Sequence, residues 1–322
     1  MKALEKGAIA ATSEVAQSDT SNLSLLIQAI KITADKELTI ESTTNLMAVK
    51  YSLEATSENG IEVKEPGSIL IPAKEFINWV KIQSNDSTIA IRLSKSKNPE
   101  IINPLENMDD SDDVSEFTIT KIGVVKITSK DSTKTGGRWE LNCYDPAEFK
   151  LVDFNKKSVP YFETPIEMLS GALKKVSFTA LQSDYDHLLD NVAMQVYKNN
   201  LYFITTDTKR CAIYNILGNE SIQCEESLLV PLPLLDQIVK ISDKKNKALV
   251  SYNADINRLF ISQSNFMARI ACPDRDNINK FPHVSMLLDK QYDLLAKVTK
   301  TSLNQTLKSA SIVNNSSALF SF

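Results

Sequence analysis

The segment IPAKEFINWVKI, residues 71–82, is repeated in altered form as VPLPLLDQIVKI, residues 230–241. Pro72 and Pro231 stand 159 positions apart, and a lysine follows each of them at the same distance. Each copy leads from a short apolar strand through a proline into an amphipathic helix, because proline is tolerated in the first turn of a helix. A repeat of this length indicates copies of one domain-sized unit and not a short solenoid repeat.

Segments typical of β-strands surround both copies, since they are short, apolar or alternating, and rich in β-branched residues. The predicted strands are 25–33, 37–43, 47–55, 87–93, 117–128 and 138–144 in the first half, and 191–197, 200–207, 211–216, 247–252, 258–264 and 266–272 in the second. Helices are predicted at 1–13, 72–82, 165–180 and 231–247. The predicted class is therefore α+β, with two helices packed on antiparallel sheets in each repeated domain.

The repeat predicts three domains, which cover residues 1–157, 158–288 and 289–322. The last of these is only the start of a domain, because its helical segment resembles the first helix of the second copy and the chain ends soon afterwards. Residues 94–116 form a polar insertion that becomes acidic towards its end, and we expect a solvated loop there. A calcium-binding loop is the alternative, although the glycine and terminal glutamate of an EF-hand are missing.

Composition argues against catalysis and against cofactor binding. The chain has only eight glycines, and none form a phosphate-binding loop. Its two histidines, His187 and His283, lie beside no recognisable nucleophile motif. The four cysteines lack metal-ligand spacing, and neither a signal peptide nor a membrane-spanning segment is visible. Together these features predict a cytoplasmic protein with no metal, cofactor or membrane partner.

Lysine is concentrated on the predicted helices. Five helical windows, including one at 299–313, carry a net charge of +7 in a chain whose net charge is −4. A polyanion that faces the helices would explain this segregation. The alternative stays open, because the wet face of an amphipathic helix often carries lysine. The candidate DNA-binding residues are Lys2, Lys6, Lys74, Lys81, Lys174, Lys175, Lys240, Lys300 and Lys308.

Four segments carry a family resemblance, and they occur in the family's order. They are EPGSILIPAKEFINWVK (65–81), HLLDNVAMQVYKNNLYFITTDTKR (187–210), LLVPLPLLDQIVKI (228–241) and NKFPHVSMLL (279–288). Each is similar to a segment of the bacterial sliding clamp, the DNA polymerase III beta subunit. The resemblance covers most of the chain and implies a DNA-clamp fold. By comparison with the family, the opening strand and most of the third domain are missing, so the chain resembles a clamp truncated at both ends.

The resemblance implies a non-catalytic accessory subunit that confers processivity on the replicative DNA polymerase. When full length it would form a homodimeric ring around double-stranded DNA, bind without regard to sequence, and dock peptide motifs of the polymerase and clamp loader. The alternative is a clamp-like, β-rich peptide-binding scaffold without ring function. A third hypothesis is a carboxylate-dependent hydrolase that uses the acidic insertion, for which no paired catalytic motif is visible.

The resemblance also implies a pocket that receives partner peptides. Its expected residues are Leu189, Thr206, Thr208, Lys209, Arg210, Cys211, Pro282 and Leu287. Simple core packing is the alternative role for the two leucines and the cysteine. The family's TDGHR is TDTKR here, so that Thr208 replaces glycine and Lys209 replaces histidine. Cys211 replaces a leucine, and we expect these changes to alter the pocket more than the fold.

Overall fold

The structure is a computed structural model of the 322-residue chain. It describes residues 29–44, 46–83, 87–102, 119–130, 137–149, 154, 158–180, 188–217, 222–223, 226–291 and 297–313. The chain divides into two compact units, residues 1–284 and 285–322. The helix predicted at 1–13, with Lys2 and Lys6, lies outside the described residues.

The described residues form fifteen strands and five α-helices. The strands are β1 (Ala29–Ala34), β2 (Glu37–Thr43), β3 (Met47–Glu54), β4 (Gly67–Pro72), β5 (Thr88–Ile102), β6 (Ile119–Lys130), β7 (Arg138–Tyr144), β8 (Val159–Pro165), β9 (Asn191–Tyr197), β10 (Asn200–Thr206), β11 (Cys211–Leu217), β12 (Leu228–Pro231), β13 (Lys247–Asn253), β14 (Arg258–Gln263) and β15 (Phe266–Ala271). The helices are α1 (Ala73–Lys81), α2 (Ile166–Val176), α3 (Leu232–Ile241), α4 (Val284–Leu288) and α5 (Lys300–Val313).

The strands repeat one pairing scheme in the two halves of the first unit. In the first half, β4 pairs with β1, which is followed across the sheet by β2 and β3. In the second half, β12 pairs with β9, which is followed by β10 and β11. The three-strand sets β5–β7 and β13–β15 are likewise antiparallel and consecutive. The predicted α+β class and its repeated helix-and-sheet layout are confirmed; the domain boundaries stay a prediction.

Pairing of β3 with β15 joins the two halves into one eleven-stranded sheet. The two strands run antiparallel, with Val49 opposite Ala268 and Met47 opposite Ile270. All four of these side chains lie in the hydrophobic core of the second half. Therefore β3 belongs to the first half by its position in the repeat, but its apolar side chains also complete the core of the second half.

Helices α1, α2 and α3 cover the same face of this sheet. Residues directly opposite each other on antiparallel strands share a face. Ile40 lies in the core that α1 covers, and it stands opposite Tyr51, which packs against the core beneath α2 and α3. The face therefore continues without interruption from α1 across β2 and β3 to the second half.

Amphipathic patterning places α1 on the sheet. Ala73, Phe76, Ile77 and Val80 are buried along one stripe, and each large side chain contributes about 1.5–3 kcal/mol when fully removed from water. Pro72 precedes the helix, which suits its fixed φ and missing N–H. The same arrangement recurs at α3, where Pro231 precedes a helix with Leu235, Ile238 and Val239 buried.

The structure corrects the prediction of a loop at 94–116 over the first part of that range. Strand β5 continues to Ile102, although its residues from Ser94 to Ile101 are exposed and do not alternate in hydrophobicity. Backbone pairing with β6 holds this extension. The pairing is interrupted between Lys95 and Glu100 and resumes from Glu100 to Ile102. An edge strand with both faces in water needs no apolar residues, which is why the pattern did not reveal it. The acidic end of the insertion lies outside the described residues.

Strand β8 was not predicted from the sequence. It contains Pro160 and Pro165, and proline normally breaks a strand pattern. In the structure β8 is the last strand of the large sheet, where it pairs with β13, and its other edge makes an isolated bridge from Phe162 to Ile222. Within sheets, proline is confined to edge strands, first residues and bulges, because it has no N–H to donate to a continuous ladder.

Gly123 lies where β5 and β6 approach closely, and we predict that Gly123→Ala destabilises the protein by about 1–3 kcal/mol. A Cβ at this position would lie 2.3 Å from the backbone oxygen of Ser94, so the backbone must shift. Gly171→Ala is the matched control, because a Cβ there would meet no atom within 4 Å. It should stabilise α2 by about 1 kcal/mol, since alanine is the better helix former. Urea denaturation measures the change in the free energy of unfolding for both variants. Equal changes would contradict the close approach at Gly123.

Candidate nucleic-acid interface and partner pocket

The described candidate lysines of the first unit are all exposed, and all lie on the helices that cover one face of the sheet. They are Lys74 and Lys81 on α1, Lys174 and Lys175 on α2, and Lys240 on α3. Because each helix turns its apolar stripe towards the sheet, the exposed lysines lie on the side away from the core. This face of the first unit is therefore cationic at several separate points.

Two of these lysines are held by neighbouring side chains. Lys240 Nζ lies 2.6 Å from Asp236 Oδ2, one helical turn away. Lys175 Nζ donates a hydrogen bond to the Tyr214 hydroxyl at 2.7 Å and lies 4.0 Å from the centre of that ring. Within the described residues, Lys74, Lys81 and Lys174 have no such ion pair, so their charge is the most available to an anion.

The remaining candidate DNA-binding and pocket residues lie either in the second unit or in residues that the structure does not describe. Lys300 and Lys308 are exposed on α5 of the second unit, and Leu287 lies on α4 and is partly buried. Lys2 and Lys6 lie outside the described residues. Their roles stay predictions.

The turn between β10 and β11 brings several predicted pocket residues together. Thr206 pairs with Cys211 across the two strands, and the Thr206 hydroxyl donates to the backbone oxygen of Arg210 at 2.8 Å. Asp207 Oδ1 accepts hydrogen bonds from the backbone amides of Lys209 and Arg210, at 3.0 and 2.6 Å. These bonds fold the five residues TDTKR into a compact turn, as aspartate commonly does.

Asp207 also orients the Arg210 side chain, and sequence reasoning did not single it out. Its Oδ2 lies 2.8 Å from Arg210 Nε and 2.7 Å from one terminal nitrogen, which is a two-point contact. Hydrogen bonds from the Arg210 amide and then from its side chain hold the pKa of Asp207 below its ordinary value. This contribution to the turn is present above the unfolded carboxyl pKa of about 3.9, and it is lost as the pH falls through the lower folded value.

Thr208 has a left-handed backbone, with φ of +71°. Glycine adopts this conformation freely, whereas a β-branched residue there is a conformational outlier. The family's glycine at this place in TDGHR thus has a physical reason that the sequence alone did not supply. In this chain the hydrogen bonds made by Thr206 and Asp207 hold the strained turn closed.

Thr206, Cys211 and the segment that contains Pro282 lie on one face of the four-stranded sheet. On that face, Ala193, Ile204 and Leu229 form a small core with Phe281 and Val284. Thr206 follows Ile204 by two residues on β10, so the two side chains point to the same side. Leu189 is buried in the turn before β9. The first unit therefore places Thr206 and Cys211 on the sheet face that also carries the Pro282 segment, and the pocket itself stays a prediction.

No set of three or more histidine, cysteine, aspartate or glutamate side chains in the described part of the chain is grouped to hold a metal ion. Among the described helices, none is long and apolar enough to cross a membrane. Beside this face, the Arg210 side chain is exposed next to the hydrogen-bonded turn.

Comparison with solved structures identifies the fold. The DNA polymerase III subunit beta from Pseudomonas aeruginosa matches 96% of this chain and 72% of its own, with a TM-score of 0.66 and 16% identity. The chain has the fold of a DNA sliding clamp. The DNA polymerase III beta subunit from Thermotoga maritima gives the same coverage, with a TM-score of 0.66 and 15% identity. A DnaN sliding clamp from Pseudomonas aeruginosa bound to griselimycin gives 0.67 and 17% at the same coverage. No protein-family model and no curated protein matches the sequence.

We predict that Thr208→Gly stabilises the protein by about 0.5–1 kcal/mol. The substitution relieves a backbone strain of about 1–3 kcal/mol, and the larger conformational entropy that glycine loses on folding offsets part of this gain. Thr88→Gly is the control, since Thr88 is exposed at the start of β5 and its backbone is extended. That variant should lose about 0.5–1 kcal/mol. Urea denaturation measures both, and a loss of stability in Thr208→Gly would contradict the strain.

Proposed function

We propose that this chain is part of a DNA sliding clamp, a non-catalytic subunit that gives the replicative polymerase processivity by encircling duplex DNA. The observation that carries the proposal is the one-sided arrangement of α1, α2 and α3 on a continuous sheet. In a ring built from such units, the helical face would line the hole and the strands would form the rim. The fold shared with solved DNA polymerase III beta subunits supports the same function.

The lysines suit a protein that holds DNA without reading it. Lys74, Lys81 and Lys174 are exposed, separated from one another, and unpaired within the described residues. Contacts of this kind reach phosphates, which are present at every base pair and carry no sequence information. Such contacts are individually weak, and a ring that keeps the DNA by enclosure needs no stronger ones.

An open strand edge supports assembly into a ring. By its position in the repeat, β11 corresponds to β3, whose outer edge is covered by β15. Within the described residues, β11 pairs only with β10, and its other edge is free. We propose that in the full-length protein this edge pairs with a further unit, and that two such chains close a homodimeric ring in the cytoplasm.

The face beside the TDTKR turn is the proposed docking site for peptide motifs of the polymerase and the clamp loader. Thr206, Cys211 and Pro282 provide a surface beside Ile204, and Arg210 provides a cation that Asp207 orients. One structural neighbour is a sliding clamp bound to griselimycin, which makes this compound a suitable probe of the site.

Primer extension on primed circular DNA tests the function. With the cognate polymerase and clamp loader, the full-length protein should lengthen the products made in one binding event. No stimulation would contradict the proposal. If griselimycin binding were retained while loading onto DNA failed, the protein would be a peptide-binding scaffold without ring function.

We predict that Lys74→Ala with Lys81→Ala weakens duplex binding by the full-length protein and lowers the slope of log K against log salt by about 2, because each phosphate contact contributes about 0.9. Lys126→Ala with Lys130→Ala is the control, since these β6 lysines lie on the sheet face opposite Val125 and Ile127, away from α1. Fluorescence anisotropy of a labelled duplex between about 50 and 200 mM salt measures both slopes. Equal losses in the two variants would contradict a helical DNA face.

A further inference from the structure

Gln195 is a buried amide in the middle of the sheet face that carries the proposed peptide pocket. It lies on β9, and only 1% of its surface is exposed. Its neighbours on that side of the strand are Ala193, which is buried, and Tyr197, which is partly buried. Moving an amide from water into an apolar site without hydrogen bonds is destabilising. Its burial therefore needs a compensating interaction.

Both ends of the Gln195 amide are bonded to one short segment of backbone. Its Nε2 donates to the backbone oxygen of Pro282 at 3.2 Å. Its Oε1 accepts from the backbone amide of Val284 at 2.8 Å. The two partners lie 87 and 89 positions away along the chain, so this single side chain fastens a distant segment to β9.

The fastened segment carries a wall of the proposed pocket. Phe281 and Val284 pack into the small core formed with Ala193 and Ile204, on either side of Pro282, which is partly buried, and His283, which is exposed. The apolar contacts hold the two ends of the segment, while the Gln195 amide holds the backbone between them. The position of Pro282 relative to Thr206 and Cys211 therefore depends on this amide.

We propose that Gln195 is a positioning residue of the partner pocket, which holds the Pro282 wall in the arrangement that a bound peptide requires. The proposal rests on the proposed peptide-docking function of this face. A wall that is already ordered loses less conformational entropy when the ligand binds, so fixing it raises affinity without adding a contact. Removal of the amide would leave the Val284 N–H and the Pro282 oxygen to find other partners, and the segment would relax.

The test measures griselimycin binding to the protein by isothermal titration calorimetry. Gln195→Met keeps the volume of the side chain and removes both hydrogen bonds, and we expect the affinity to fall about tenfold, because two buried backbone groups lose their partners. Gln263→Met is the matched control, because Gln263 makes the same pair of bonds to the backbone of Asp243, at 2.9 and 3.0 Å. It lies on β14 and should leave the affinity unchanged.

Gln195→Glu separates positioning from a general loss of packing. A protonated carboxyl group can donate to Pro282 and accept from Val284, whereas the ionised form cannot donate. Burial raises a glutamate pKa above its ordinary value of about 4.3, so the affinity of this variant should recover as the pH is lowered through that raised pKa. The wild type, in which His283 and Tyr197 also lie beside the segment, is measured over the same pH range as the reference.

The outcomes distinguish the two proposals. If the wild type does not bind griselimycin, the proposed pocket fails, and the role of Gln195 fails with it. If the wild type binds and Gln195→Met binds equally well, the pocket stands and the positioning role is overturned. If Gln195→Met does not fold, Gln195→Glu tests the positioning role instead. An affinity for griselimycin that does not recover at low pH would also overturn that role.

Discussion

Backbone pairing between β3 and β15 is the interaction on which the first unit depends. It places the strands of both halves in one sheet and passes Met47 and Val49 from the first half into the core of the second. Strand pairing also sets the register, and a shift of one residue would turn these side chains to the opposite face. The alignment of the two helical layers follows directly from this register.

The one-sided helical layer explains why charge is segregated in this chain. Helices that pack their apolar stripes on the sheet must turn their polar faces away from it, and here those faces carry lysine. In the second half, α2 and α3 share one core with strands of both sheets, and the other face of the four-stranded sheet carries the small core with Phe281 and Val284. The proposed DNA-facing layer and the proposed peptide-docking face therefore use opposite faces of the four-stranded sheet.

Much of the fold was predictable, because its elements are encoded in short periodic patterns. Strands such as β7 and β9 match their predicted bounds, and the repeated proline marks the starts of α1 and α3. The patterns failed where local sequence and pairing disagree. Strand β8 contains prolines, which normally break a strand pattern, and the polar end of β5 is held by backbone pairing with β6.

The family resemblance pointed to Thr206, Arg210 and Pro282 as pocket residues, and that role stays a prediction. The structure places Thr206 and Arg210 in one turn. The sequence could not show that Thr208 has a positive φ, because the backbone conformation of one residue depends on the whole turn. Gln195 was also hidden, since it stands in an apolar strand pattern and its partners lie 87 and 89 positions away.

The measurement that tests the central claim most directly compares retention of the loaded full-length protein on closed circular DNA with retention on the same DNA after one cut. Enclosure predicts that the protein stays on the circle through a high-salt wash and slides off the free ends of the linear form. Equal retention on both forms would mean that the protein holds DNA by contacts alone, and would contradict a clamp that works by encirclement.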